Sequence, residues 1–217
     1  MLKVINGGKE PTRGSKYSAC IDLYANEDCI IGAGETVLVG LGVVIDLSLI
    51  KLKVCDDYPR TWNGTDSRMF DEFMKSHQLN LHIRSSMSAK HGLIIANGTG
   101  IIDLDFISHC KIDKMNNNGK CKHFKQKIKG DIAMENNKCE ECIHWDDCEI
   151  KICLHNPIDE NYIDDVLAKN KNSQYYGQVV IKKGQPIAQL SLVEHKSYLF
   201  DVESEDKRTG GFGSTDA

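Results

Sequence analysis

The sequence has no long hydrophobic run, no excess of positive charge and no visible internal repeat. No stretch approaches the roughly 20 apolar residues of a membrane-spanning helix, and the N-terminus lacks an apolar run of signal-peptide length. The formal net charge of −4 argues against general nucleic-acid binding through phosphates, although a local basic patch stays open. We therefore expect a soluble cytoplasmic protein that binds neither membranes nor nucleic acid.

Nine cysteines are present, an odd number that fits poorly with a complete set of intrachain disulfides. Without a secretion signal, we expect them to be thiols or metal ligands in a reducing compartment. At 217 residues and 41% hydrophobic content, the chain is long and apolar enough to bury a core. We expect a single domain over residues 1–217.

Short apolar stretches separated by turn signals predict an all-β protein, built as an antiparallel sandwich or jelly roll. The predicted strands cover residues 36–45, 79–83, 148–156, 176–181 and 187–193. Residues 66–75 depart from this pattern, because Met69, Phe70, Phe73 and Met74 recur at helical spacing. A short helix packed against the body is therefore predicted there.

Residues 84–106 hold the most concentrated polar chemistry of the chain. Arg84-Ser85-Ser86 is a compact set of donors for an oxyanion. Glycines 98 and 100 permit positive φ or close backbone approach, so residues 97–100 read as a tight hairpin with free backbone groups at its tip. Asn97 adds a side-chain amide that both donates and accepts, and Asp103 adds an acid. Donors for phosphate, a polar clamp for a base and a carboxylate predict a nucleotide enzyme.

These residues resemble the second and third of five motifs in the trimeric dUTP diphosphatase (dUTPase) family. Residues 18–23 resemble the first motif, residues 184–190 the fourth, and the C-terminal Gly-Gly-Phe-Gly-Ser-Thr of residues 210–215 the fifth. All five occur in order along the chain. The resemblance implies a dUTPase-like jelly roll, a homotrimer with shared active sites, and hydrolysis of dUTP to dUMP and pyrophosphate.

The resemblance also implies a role for individual residues. Asp103 is the expected general base that activates water for attack on the α-phosphorus, and Asp22 is expected to hold Mg²⁺ through bound water. The expected contacts to base and sugar are Asn97, Gly100, Ile102, Phe106 and Phe212. The expected phosphate contacts are Arg84, Ser85, Ser86, Gln189, Lys207, Arg208, Gly213, Ser214 and Thr215.

The chain departs from the family pattern at several single positions. Cys20 stands where the family usually has glycine, and Phe106 replaces the usual tyrosine. A phenyl ring can still stack under the deoxyribose and leave no room for a 2′-hydroxyl. In the flexible tail, residues 206–217, the family's arginine falls on Lys207, so either Lys207 or Arg208 takes its role.

Two segments, residues 48–78 and 107–147, are insertions relative to the family. The second is polar and rich in cysteine and histidine, a composition that cannot fill a core by itself. Cys139 and Cys142 have the spacing of a zinc knuckle. Two more ligands could come from Cys121, His123, His144 or Cys148. The two hypotheses are a structural Zn²⁺ and a disordered loop with incidental thiols.

Two other functions are compatible with parts of the sequence. A dCTP deaminase shares the fold and an Arg-Ser-Ser motif, but its catalytic glutamate falls on Cys153, three residues before Asn156. A nucleotide-sensing regulatory protein could contact a protein partner through the two insertions. Because Asp103 and the main phosphate donors are retained, dUTP hydrolysis is the favoured hypothesis.

Overall fold

The computed structural model describes residues 1–56, 65–107, 109–110, 145–146, 148–158 and 177–200. The strands are β1 Leu2–Val4, β2 Ile21–Tyr24, β3 Cys29–Ile31, β4 Thr36–Gly40, β5 Val43–Ile45, β6 His77–Ile83, β7 Ile94–Ile95, β8 Gly100–Asp103, β9 His109–Cys110, β10 Trp145–Asp146, β11 Lys151–His155, β12 Val179–Ile181 and β13 Pro186–Glu194. The helices are α1 Leu47–Asp56, α2 Thr65–Ser76 and α3 Ser85–His91, and a 3-10 turn covers Ser197–Leu199.

The largest sheet has the strand order β2-β13-β6-β8, and every neighbouring pair in it is antiparallel. β13, the longest strand, pairs with β2 on one side and with β6 on the other. Its apolar side chains Ile187 and Leu190 are buried, so burial holds the strand at the centre of the fold. The sheet brings together chain segments more than 100 residues apart.

A second sheet has the order β4-β11-β7, and β1-β5, β12-β3 and β9-β10 form separate antiparallel pairs. Fully buried aliphatic side chains from both sheets fill the core, among them Leu23, Leu81, Ile152 and Leu154. All strand pairs in the described part of the chain are antiparallel, apart from an isolated parallel bridge between Ile45 and Ile107. The predicted antiparallel β architecture is confirmed.

The predicted strand over residues 36–45 is in fact two strands. β4 ends at Gly40 and β5 begins at Val43, because Gly42 turns the chain with a φ of +64°. Gly42 also lies against Gly8, where a Cβ on either residue would approach backbone atoms within 2.8 Å. The two halves then pair with different partners, β4 with β11 and β5 with β1.

The helix predicted over residues 66–75 is confirmed as α2, and its partly buried Phe70, Phe73 and Met74 pack against the core. Two further helices were not predicted. α1 buries Ile50 and half-buries Leu47 and Val54. Within the described residues, no helix has the length and apolar character to cross a membrane.

The turn predicted at residues 97–100 is present, but it does not join two paired strands as a hairpin would. β7 pairs with β11 in one sheet, whereas β8 pairs with β6 in the other. Gly98 has a φ of +75°, and a Cβ on Gly100 would lie 3.1 Å from Cβ of Leu81. The turn therefore favours glycine at position 98, whereas a side chain at position 100 would crowd Leu81 of β6 unless its neighbours shifted slightly.

Candidate active site

Three predicted site residues from distant motifs meet on one side of the largest sheet. The register pairs Gln189 of β13 with Asp22 of β2 and Ala188 with Ile83, which brings the following Arg84 alongside. Oδ1 of Asp22 accepts hydrogen bonds from Nε2 of Gln189 at 3.0 Å and from Nε of Arg84 at 3.3 Å. The register of β13 shifts between Pro186 and Ala188, an irregularity of the kind that redirects side chains beside functional sites.

Asp22 is 8% exposed, so its carboxylate needs partners inside the protein. Arg84 supplies a positive charge and Gln189 a neutral donor, and both bond the same oxygen. The second oxygen of Asp22 and the two terminal nitrogens of Arg84 form no hydrogen bond with the described residues. The three side chains are therefore held in place. The second oxygen of Asp22 and the terminal nitrogens of Arg84 can still contact a ligand.

Ser85 and Ser86 begin α3, a helix that was not predicted from the sequence. Arg84 occupies the N-cap position, and its backbone N–H donates to the carbonyl of Ile187 at 2.9 Å. Ser85 is exposed and Ser86 is half-buried. The sequence feature that could have predicted this helix lies at its C-terminal end. Lys90 and His91 there precede Gly92, which adopts the left-handed conformation of a C-cap.

A cavity of about 190 Å³ lies between β8 and β11. Five predicted residues line it together, namely Asn97, Gly100, Ile102, Asp103 and Phe106. The other lining residues were not predicted: Leu81, Ile95, Ile101, Ile150, Lys151 and Cys153. The available signal for Lys151 and Cys153 was strand alternation in β11, which buries Ile152 and Leu154 on the opposite face.

The cavity and the Asp22 cluster occupy separate places in one chain. Asp103 pairs with Gln78 at the start of β6, whereas Arg84 follows the last residue of that strand. Six residues of extended chain separate these positions, which amounts to roughly 20 Å along β6. Neither Asp22, Arg84 nor Gln189 lines the cavity.

Two of the family departures can be located in the structure. Cys20 does not adopt a positive φ, so the backbone at this position does not require the glycine usual in the family. Phe106 lines the cavity and packs partly against the core. Cys20, Cys29 and Cys153 are free thiols.

Other predicted residues lie outside the described part of the chain. These are the tail residues Lys207, Arg208, Phe212, Gly213, Ser214 and Thr215, and the candidate zinc ligands Cys121, His123, Cys139, Cys142 and His144. Of the candidate zinc ligands, Cys148 is described; it is buried and has a φ of +42°. Among the described residues, no group of three or more His, Cys, Asp or Glu side chains could hold a metal ion.

No family model matches the chain. The deoxyuridine 5′-triphosphate nucleotidohydrolase of Corynebacterium glutamicum is 29% identical over 118 residues, which are 53% of this chain and 62% of that protein. The nucleotidohydrolase of Debaryomyces hansenii is 30% identical over 102 residues, 47% of this chain and 46% of that protein. The chain therefore spans less than two-thirds of either relative. These matches support the resemblance to dUTPases that the five motifs indicate.

The solved structure of the dUTPase from phage phi11 of S. aureus is similar in fold. It aligns with a TM-score of 0.50 and 16% identity, over 99% of this chain and 97% of that chain. At this identity the likeness bears on the fold alone. The expected dUTPase-like fold is confirmed.

Proposed function

We propose that this chain, a relative of the dUTPases, hydrolyses dUTP to dUMP and pyrophosphate. The observation that carries the proposal is the cavity in which Asn97, Gly100 and Asp103 meet, together with the Arg84 cluster on the same sheet. The first group offers polar contacts for a base and a carboxylate near a sugar. The second offers donors for a phosphate chain. The names of the sequence relatives support the same activity.

In the proposed reaction, Asp103 accepts a proton from a water molecule as that water attacks the α-phosphorus. The bond from the α-phosphorus to the bridging oxygen breaks, and pyrophosphate leaves. A positioned base of this kind contributes roughly 10²–10⁴-fold to the rate. Phe106 lies beside Asp103 in the cavity wall, where its ring can stack under the deoxyribose and exclude a 2′-hydroxyl.

Arg84 and Gln189 would bind the triphosphate, with Ser85 and Ser86 adding hydroxyl donors. The terminal nitrogens of Arg84 can grip two phosphate oxygens at once. Mg²⁺ fits the cluster, because Asp22 has a carboxylate oxygen not bonded to the described residues, and Mg²⁺ is usually held by one or two carboxylates together with waters and substrate phosphates. When bound, the ion would neutralise part of the triphosphate charge. Asp22 would hold it and, through the same carboxylate, orient Arg84 and Gln189.

The separation of the two groups supports a site shared between subunits. A triphosphate is far shorter than the roughly 20 Å that separates Asp103 from Arg84 along β6. Asp103 of one subunit and Arg84 of another can serve one substrate if the protein forms the symmetric trimer that the resemblance implies. The tail would complete this site, with Phe212 stacking on the uracil and Lys207 or Arg208 binding phosphate.

Neither alternative function is favoured by a specific observation. Cys153 lines the cavity at the position of the deaminase glutamate, and a thiol in place of that carboxylate leaves a deaminase without its base. A partner-binding role would rest on residues 48–78 and 107–147. Residues 107–147 lie largely outside the described part of the chain, and the described residues of 48–78 belong mainly to α1 and α2, which pack apolar side chains against the core.

Zinc binding by residues 107–147 stays a prediction. If Cys139 and Cys142 bind Zn²⁺ with two of the other candidates, the protein should contain about one zinc per chain. Elemental analysis of chelator-free protein measures this. Cys139→Ser should remove the zinc, whereas Cys29→Ser should not, because Cys29 is a free thiol on β3. Zinc-free wild-type protein would contradict the prediction.

The direct test of the activity is pyrophosphate release from dUTP, UTP, dTTP and dCTP. The proposal predicts rapid release from dUTP and slow release from the other three. UTP tests whether the Phe106 ring excludes a 2′-hydroxyl. No release from dUTP in the presence of Mg²⁺ would refute the proposed function.

A further inference from the structure

β6 carries a stripe of polar side chains on the face of the largest sheet that points away from the core. Leu79 and Leu81 are buried in the core, so strand alternation turns every second residue of β6 to the opposite face. The residues of this stripe are Gln78, Asn80, His82 and Arg84. Arg84 continues the alternation, because it follows β6 with an extended backbone. The stripe therefore ends at the arginine of the Asp22 cluster.

His82 differs from the other members of this stripe in its contacts. Nε2 of Gln78 donates a hydrogen bond to Oδ1 of Asn80 at 2.8 Å. Nε of Arg84 donates to Oδ1 of Asp22 at 3.3 Å. His82 is half-buried and forms no hydrogen bond or ion pair with the described residues. Its imidazole therefore keeps a ring N–H that can donate to a ligand.

The strand register puts His82 beside the Asp22 cluster. Gln189 of β13 is the direct partner of His82 on one side and of Asp22 on the other. Directly opposed side chains of antiparallel strands share one face of the sheet, with their Cβ atoms about 5 Å apart. Gln189 donates its Nε2 to Asp22 on the β2 side, at 3.0 Å. The cluster therefore continues across the sheet to His82 on the β6 side.

We propose that His82 is a further phosphate-binding residue of this chain, an inference that rests on the proposed function. His82 precedes the second motif and is not among the residues that the resemblance assigns to phosphate. Its place beside the Arg84 guanidinium favours an anion as the ligand, because that charge repels cations and attracts anions. The ring N–H of His82 would add a donor to those of Arg84 and Gln189, and together they would bind the anionic oxygens of a triphosphate.

The test compares wild-type protein with His82→Phe, which keeps a planar ring and removes its nitrogens. We expect the KM for dUTP and the inhibition constant of inorganic pyrophosphate to rise about tenfold, as is usual when a hydrogen bond to a charged group is lost. The inhibition constant of deoxyuridine, which carries no phosphate, should stay unchanged, and so should kcat. His82→Gln keeps a side-chain N–H donor and should retain most of the affinity for pyrophosphate. If His82→Phe is unstable, His82→Ala should show the same two increases.

His195→Phe is the matched control, because His195 follows the end of β13, roughly 20 Å along the chain from Gln189. It should leave all of these constants unchanged. Unchanged constants in His82→Phe would overturn the proposal, as would an equal loss of deoxyuridine binding, which indicates a structural role for the ring. If wild-type protein releases no pyrophosphate from dUTP, the proposed function itself fails. Calorimetric binding of inorganic pyrophosphate to wild-type protein and His82→Phe then tests His82 alone, and equal binding or none overturns the inference.

Discussion

Asp22 shows how one buried carboxylate can organise several residues at once. Its Oδ1 holds Arg84 and Gln189 in fixed positions before any ligand arrives. Such preorganisation lowers the ordering cost of binding, because two side chains with many rotamers are already restrained. The residue therefore contributes to the proposed site through its neighbours as well as through the Mg²⁺ that it would hold.

Asp103→Asn is expected to bind dUTP about as well as wild-type protein and to lose roughly 10²–10⁴-fold in kcat, because the amide cannot accept the water's proton. Asp105→Asn is the matched control, since Asp105 is an exposed acid two residues away that does not line the cavity. Steady-state pyrophosphate release and calorimetric binding of dUTP separate the two effects. Near wild-type turnover in Asp103→Asn would show that this carboxylate is not the base.

At the residue scale, the sequence predicted the parts of the site that follow from a local pattern. Asn97, Gly100 and Asp103 belong to one short motif, and the structure places them in one cavity. Strand alternation places Lys151 and Cys153 on one face of β11, but their position in the cavity could not be predicted, because the sequence does not show which chain segment packs opposite that face. The contact between Asp22 and Gln189 likewise depends on a register set by pairing across 167 residues.

At the scale of single elements, α1 illustrates a signal that local reading can overlook. Asp46 precedes the helix, and its Oδ1 accepts hydrogen bonds from the backbone N–H of Ser48 at 2.9 Å and of Leu49 at 3.2 Å. This is the geometry of an N-cap. The cap directly follows the β-branched strand β5, so the change from strand to helix occurs within one residue.

Asp46→Ala should lower the free energy of unfolding by about 1 kcal/mol at neutral pH, because two backbone donors of α1 lose their acceptor. Asp46→Asn should lose much less, since asparagine is also a good N-cap. Denaturant unfolding at a fixed protein concentration measures both. Equal stability of wild-type protein and Asp46→Ala would contradict the assignment.

The same cap should make the stability depend on pH. Hydrogen bonds from the Ser48 hydroxyl and from the backbone of Leu49 and Ser48 lower the pKa of the Asp46 carboxyl below its ordinary value. The contribution of ionised Asp46 to the free energy of unfolding is therefore present above the unfolded-state pKa of about 4. It is lost as the pH falls through the lower folded-state pKa. The difference in stability between wild-type protein and Asp46→Asn should change over that acidic range. A difference independent of pH would argue against ionised Asp46 as the cap.

The turn at residues 96–99 shows why an element can be predicted correctly and its partner wrongly. The glycines identify the turn, since Gly98 must adopt a positive φ. They do not state that β7 finds β11 and β8 finds β6, because those pairings depend on distant segments. Strand identity is thus more predictable here than strand order.

At the scale of the whole molecule, the two ends of residues 107–147 bear on the proposed site. Phe106 precedes residues 107–147 and Ile150 follows them, and both line the cavity. Between these ends, β9 and β10 pair with each other, His109 with Asp146 and Cys110 with Trp145. The paired strands β9 and β10 are therefore connected by short lengths of chain to two walls of the cavity.

The whole-molecule arrangement also explains why a single chain holds two incomplete groups. Asp103 lies beside the start of β6 and Arg84 follows its end, so in the proposed mechanism neither group of one chain can both bind the triphosphate and activate water at the α-phosphorus. Assembly of identical subunits would supply each group with the other. We therefore propose that dUTP is hydrolysed at a site shared between subunits.

Mixing two inactive variants tests this claim directly. Asp103→Asn and Arg84→Ala are each expected to be inactive alone, and they are unfolded together and refolded together so that subunits mix. If a site takes Asp103 from one subunit and Arg84 from another, about a quarter of the sites in an equal, random mixture are intact. Pyrophosphate release should then recover to about a quarter of that of wild-type protein refolded in the same way. No recovery, with mixed trimers demonstrated by mass spectrometry, would contradict the shared site.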